Sequence, residues 1–218
     1  MTAGLLGTLI VIAKEPLPGR VKTRLVPPLT HRDAAAVAEA ALVDTLAAMT
    51  AVPAARHVVV LEGRPGTWLP TGWDVVAQSA GGLDARLTAA FEAVDPARSA
   101  LLVGMDTPQL LARHVLAFDP SRFDACLGPA TDGGYWAIGL RDPARARQVI
   151  ADVPMSRADT GAQQLTRLRA AGLHVQLLDE LADVDTIEVA HEVAFQAPAT
   201  RFAAVLSAVA VARAAADA

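Results

Sequence analysis

The chain has 218 residues, with 19 lysines and arginines against 23 aspartates and glutamates and a formal net charge of -4. That length suits one α/β domain with a full core, and that charge disfavours a nucleic-acid binder working through a broad basic surface. Mean hydropathy is +0.34, much of it from alanine, and the longest apolar stretches (Leu5–Ala13 and Phe202–Ala212) fall short of the ~20 residues a membrane span needs.

Leu5–Ala13 (LLGTLIVIA) reads as a buried first strand. No basic segment precedes it, so no secretory signal is expected and the cytoplasm is the expected compartment. The loop that follows carries Lys14, Arg20, Lys22 and Arg24, with Gly19 among them, and Pro16 and Pro18 exclude helix from its first part. Open α/β sheets hold ligands at the carboxyl ends of their strands. Cations and exposed amides converging there would receive a phosphate chain, whereas the plainer alternative is a solvated charged loop. A P-loop is excluded, because Val21 and Pro16 stand where that motif needs glycines.

Thr30 opens a helix running to about Met49, with Asp33 completing a capping box. Strands are expected at 57–61 and 74–77, then a helix at 83–94 introduced by Gly81-Gly82. A central strand over 100–104 ends just before Asp106, and a helix is expected over 110–117, with Pro108 at its start. Two strands, 124–128 and 135–139, flank a glycine-bearing turn. A helix at 160–171, a strand at 173–178 and helical C-terminal segments follow. This alternation indicates an α/β fold. The single Cys126 reads as a small buried hydrophobe that cannot form an intrachain disulfide.

Three constellations carry chemistry. Asp106, at a strand end, is suited to hold Mg²⁺ or Mn²⁺ against phosphate oxygens, or to cap the next helix. In Asp183-Val184-Asp185 an extended path points both carboxylates the same way; Asp185 alternatively caps the helix near Ile187. In Gly128–Trp136, Gly133 and Gly134 allow close approach of a ligand or form a plain hairpin turn, and Tyr135 contacts a ligand or packs in the core. Gln78–Leu87 adds a glycine pair and Arg86, which reaches phosphate or solvent. The five histidines lack zinc-ligand spacing.

The segments AKEPLPGRVKTRL, QSAGGLDARL, LLVGMDTPQL, GPATDGGYWAIGL and DVDT, in this order, resemble a bacterial family of glycosyltransferases and selenodomain-associated transferases. That family is similar to the nucleotide-diphospho-sugar transferase superfamily and to phospholactate guanylyltransferases. The resemblance implies a Rossmann-like three-layer α/β/α sandwich of the glycosyltransferase-A type, with a mixed, mostly parallel sheet, in one domain across residues 1–218. It implies Lys14, Gly19, Arg20, Lys22, Arg24, Gln78 and Arg86 at the nucleotide, and Gly133, Gly134 and Tyr135 at a small-molecule acceptor. Asp106 and Asp185 would hold Mg²⁺ or Mn²⁺, and Lys22, Asp106 and Asp132 would serve catalysis. Departures occur at Pro154–Arg157, where the family has a Trp-Ser type segment, and at Val189-Ala190, where an acid is expected. Gly104 also stands where many glycosyltransferases have the first Asp of an Asp-x-Asp pair. Two activities are expected alternatives, nucleotidyl transfer from a nucleoside triphosphate and glycosyl transfer from a nucleotide-sugar. A non-catalytic nucleotide-binding module is the third.

Overall fold

The computed structural model describes residues 6–216; Leu5, the expected start of the first strand, lies outside them. Strands β1 (Leu6–Lys14), β2 (Ala54–Glu62), β3 (Asp74–Ala77), β4 (Ala100–Gly104), β5 (Ala125–Pro129), β6 (Tyr135–Leu140) and β7 (Val175–Leu177) form one sheet in the order β3-β2-β1-β4-β6-β5-β7. Only β6 runs antiparallel to its neighbours β4 and β5, so the sheet is mixed and mostly parallel. β1 is apolar almost throughout because it lies between two parallel partners with both faces covered. Leu9, Val11 and Ala13 face one core, while Ile10 and Ile12 face the other, as a two-residue repeat requires.

Helices pack on each face, giving the three-layer α/β/α sandwich expected. On one side α1 (His31–Thr50) buries Leu42, Leu46 and Met49 against Leu9, Val59 and Leu101. Its start is fixed by the predicted capping box: Asp33 N–H donates to Thr30 Oγ1 at 3.1 Å, and Asp33 Oδ2 accepts from Thr30 N–H at 3.3 Å. On the other side lie α2 (Leu83–Glu92), α4 (Ala146–Val149) and α5 (Thr160–Ala170), contributing Phe91, Val149 and Leu168. The C-terminal pair α6 (Ile187–Gln196) and α7 (Arg201–Ala216) packs Val193, Phe202 and Leu206 on Val37 and Ala41 of α1. No described helix is long and apolar enough to cross a membrane.

The helix after β4 differs from expectation. Pro108 does not start it; α3 spans Ala112–Leu116. Residues 106–109 are held instead by the segment before α6. Thr107 Oγ1 donates to Asp183 Oδ1 at 2.7 Å, Gln109 Nε2 to the Ala182 carbonyl at 2.7 Å, and Val184 N–H to the Asp106 carbonyl at 3.0 Å. Helix begins only where Leu111 N–H can donate to Nδ1 of His114, at 3.2 Å. Burial lowers the pKa of His114, with help from Arg113, and so preserves the neutral ring that this acceptor role needs. β7 is also shorter than the 173–178 expected: Leu173 N–H donates to the Leu168 carbonyl of α5 at 3.2 Å rather than to β5, and the ladder's last pair is Leu127–Leu177, with Leu178 N–H still donating to the Leu127 carbonyl at 2.9 Å.

Candidate functional site

Parallel register sets Lys14 of β1 beside Glu62 of β2, while Ile12 pairs with Gly104 at the end of β4. The residues following these strands therefore emerge along one sheet edge. A cleft of about 670 Å³ opens there, lined by Lys14, Arg20, Lys22, Arg24, Gln78, Arg86, Asp106, Asp132, Gly134, Tyr135, Asp183 and Asp185, among others. Gly19 and Gly133 are not in its lining. Gly19 has φ +75 and sits in a turn closed by Arg20 N–H donating to the Leu17 carbonyl at 3.0 Å.

The cations of the first loop separate into two groups. At the floor, Lys22 Nζ lies 2.8 Å from Asp106 Oδ2 and 3.1 Å from Asp185 Oδ1, and its side chain is only 7% exposed. Burial works against the ammonium's charge, yet the attraction of Asp106 and Asp185 outweighs it and raises the pKa of Lys22. Arg24 Nη1, on the open side, reaches the other oxygen of Asp185 at 2.9 Å. Asp185 is therefore not the cap of α6. Thr186 is, accepting from Val189 N–H at 3.4 Å. Asp183, the neighbouring acid, is pushed up to about 6, by burial first and then by the charges of Asp106 and Asp132, against the effect of the Thr107 hydroxyl.

The second group gathers on Glu62, a residue the sequence did not single out. Its carboxylate meets Lys14 at 3.4 Å, Arg20 at 3.6 Å and Arg86 at 3.2 Å. Glu62 directly follows the apolar run Val58–Leu61, and that position at a strand's carboxyl end beside Lys14 is the signal that could have found it. Gln78 is occupied by the backbone: its amide donates to the carbonyls of Ala13 at 2.6 Å and Val60 at 3.2 Å, and its oxygen accepts from Arg86 at 3.3 Å. It orients Arg86, whose buried Nε has no hydrogen-bond partner among the described residues.

The turn between β5 and β6 is a hairpin that also docks the segment before α5. Gly133 has φ +88 and lies so close to Ala158 that a Cβ would come within 2.6 Å of the Ala158 carbonyl carbon. Its carbonyl accepts from Gly161 N–H at 2.8 Å. Asp132 Oδ1 accepts from Gly134 N–H at 2.8 Å, and Tyr135 Oη lies 3.4 Å from Gln164 Oε1, with burial raising the phenol's pKa. The docked segment brings Met155, Ser156 and Arg157 into the cleft wall. Sequence reasoning noted this stretch only as a departure.

The carboxylates of Asp106 and Asp185 both contact one buried ammonium, so a single cation can be shared between them. Among the described residues no group of three or more His, Cys, Asp or Glu could hold a metal. Two hard oxygen donors facing a cationic cleft nevertheless fit Mg²⁺ or Mn²⁺, which takes one or two carboxylates and completes its shell with phosphate oxygens and water.

Residues 34–157 match the family DUF2064, described as "Uncharacterized protein conserved in bacteria". No curated protein sequence matches the chain. Among solved structures, a protein from Desulfovibrio desulfuricans G20 provisionally named a nucleotide-diphospho-sugar transferase is 27% identical, with TM-score 0.73 over 83% of this chain and 82% of that one. CMP:2-keto-3-deoxy-manno-octonic acid synthetase, complexed with CTP, is 12% identical with TM-score 0.56, over 88% and 99% of the two chains. Rv0371c from Mycobacterium tuberculosis H37Rv, complexed with manganese, is 19% identical with TM-score 0.52, over 87% and 97%. The last two likenesses establish the shared fold.

Proposed function

The chain belongs to the DUF2064 family, and from that premise we propose that it is a divalent-cation-dependent transferase acting on an activated nucleotide, specifically a nucleotidyltransferase. The observation that carries this reading is the buried Lys22 ammonium held between Asp106 and Asp185, in the same cleft as the Lys14, Arg20 and Arg86 group. A nucleoside triphosphate suits both halves: Lys14, Arg20 and Arg86 take phosphate oxygens, and Lys22 neutralises charge nearer the carboxylates. Asp106 and Asp185 would hold Mg²⁺ or Mn²⁺, which when bound offsets phosphate charge and draws electron density from phosphorus.

In the reaction an anionic acceptor oxygen, phosphate or carboxylate, bonds to the α-phosphorus as the bond to the bridging oxygen breaks, and pyrophosphate leaves with that electron pair. Such a nucleophile is already deprotonated, so positioning and charge neutralisation carry the rate. The state of Asp132 favours this over glycosyl transfer. It is the base a hydroxyl acceptor would call on, but it is solvent-exposed and its Oδ1 is engaged by Gly134 N–H. Glycosyl transfer is supported by the name of the Desulfovibrio protein.

Phosphorus NMR on mixtures of the protein, Mg²⁺ and a low-molecular-weight acceptor extract separates the readings. Pyrophosphate from a nucleoside triphosphate is expected. Nucleoside diphosphate from a nucleotide-sugar would transfer the site to glycosyl chemistry, and tight nucleotide binding with neither product would mark a non-catalytic module.

A further inference from the structure

We infer that Lys22 is an internal counter-cation that closes the Asp106–Asp185 pair to divalent cations until the phosphates of a nucleotide draw its ammonium away. The inference rests on reading Asp106 and Asp185 as the metal carboxylates.

Charge balance comes first. In the structure Lys22 and Arg24 offset the two carboxylates, with Lys22 between them and Arg24 on the outer oxygen of Asp185. A divalent cation entering while Lys22 stays in place would sit against an ammonium that is 7% exposed. Water and salt screen such a pair poorly, and like charges at contact repel strongly. The free protein therefore holds Mg²⁺ or Mn²⁺ weakly, although the right carboxylates are in position.

Geometry supplies the release. Lys22 has φ +47, in the left-handed region, and one short helical turn over Thr23–Leu25 follows it directly. The turn fixes the base of the side chain, and the flexible four-carbon stem lets the ammonium swing. Lys14, Arg20 and Arg86 line the same cleft, so a polyphosphate held there offers Lys22 new oxygens of the same sign as those it leaves. Nucleotide and cation then bind as a coupled pair, each raising the affinity for the other by the same factor.

The test is a titration of free Mn²⁺, followed by EPR in the absence of nucleotide, on wild type, Lys22→Met and Lys22→Gln. A fourth protein carries Asp106→Asn on the Lys22→Met background. The expected result is Mn²⁺ binding on the order of tenfold tighter in both Lys22 variants than in wild type, and lost when Asp106→Asn is added. The glutamine variant still offers an amide to either carboxylate, and so covers the case in which Lys22→Met does not fold. If the Lys22 variants bind Mn²⁺ no tighter than wild type while Asp106→Asn removes binding, the counter-cation role is overturned and the carboxylate assignment stands. Mn²⁺ bound equally well with and without Asp106→Asn overturns both.

Discussion

Asp106→Asn is expected to lower turnover by about 10²–10³-fold, the loss typical when one charge-stabilising group is removed from a reacting centre, and to leave the fold intact. The second half follows from the contacts. Lys22 loses its 2.8 Å partner but keeps Asp185 at 3.1 Å, so no buried charge is stranded. The Asp106 side chain is 37% exposed, and amide replaces carboxylate with little change in volume. The backbone bond from Val184 N–H to the Asp106 carbonyl is unaffected. Steady-state rates beside a thermal melt check both halves. Turnover within a factor of about two of wild type would remove Asp106 from the reaction. A large drop in melting temperature would instead make it a structural residue.

Gly133→Ala acts on stability rather than chemistry. At φ +88 an alanine is strained, and its Cβ would fall inside the van der Waals radius of the Ala158 carbonyl. Relief requires moving the segment before α5, at the expense of the Gly161 to Gly133 hydrogen bond at 2.8 Å. The expected loss is about 2–4 kcal/mol, combining backbone strain with overpacking. Gly172 is the control: φ is +76, but nothing lies within 4 Å of its Cβ position. Gly172→Ala should therefore show only the backbone part, about 1 kcal/mol. Urea unfolding of both variants measures the difference. Equal losses would mean that the docking of Ala158 on Gly133 does not hold this wall of the cleft.

Those two residues mark where the sequence was legible and where it was not. Asp106 could be read because an apolar five-residue run, Ala100–Gly104, ends just before it, and periodicity alone puts such a residue at a sheet edge. The same logic recovered β1, β3 and the Thr30–Asp33 cap, all of which depend on neighbours close in sequence. Gly133 was harder, since a glycine that admits a ligand and one that admits another loop's backbone look alike until Ala158 is placed. Glu62 was missed for a related reason. Its importance comes from Lys14, Arg20 and Arg86, which register and folding bring together from three separate elements. Pro108 misled in the opposite direction. It is permitted at a helix start, but hydrogen bonds from Thr107 and Gln109 to a segment more than seventy residues away hold the chain in an irregular path.

The most direct measurement is the binding of nucleoside triphosphates followed by thermal melting, with and without Mg²⁺, on wild type and Asp106→Asn. A ligand that binds only the folded protein raises its melting temperature by mass action, by about 2.7 kcal/mol of stability at a hundredfold excess over its dissociation constant. A rise with a triphosphate that needs Mg²⁺ and disappears in Asp106→Asn is the predicted result. No rise with any triphosphate, or one indifferent both to Mg²⁺ and to Asp106, would contradict the proposal that this cleft joins a nucleotide and a divalent cation at Asp106.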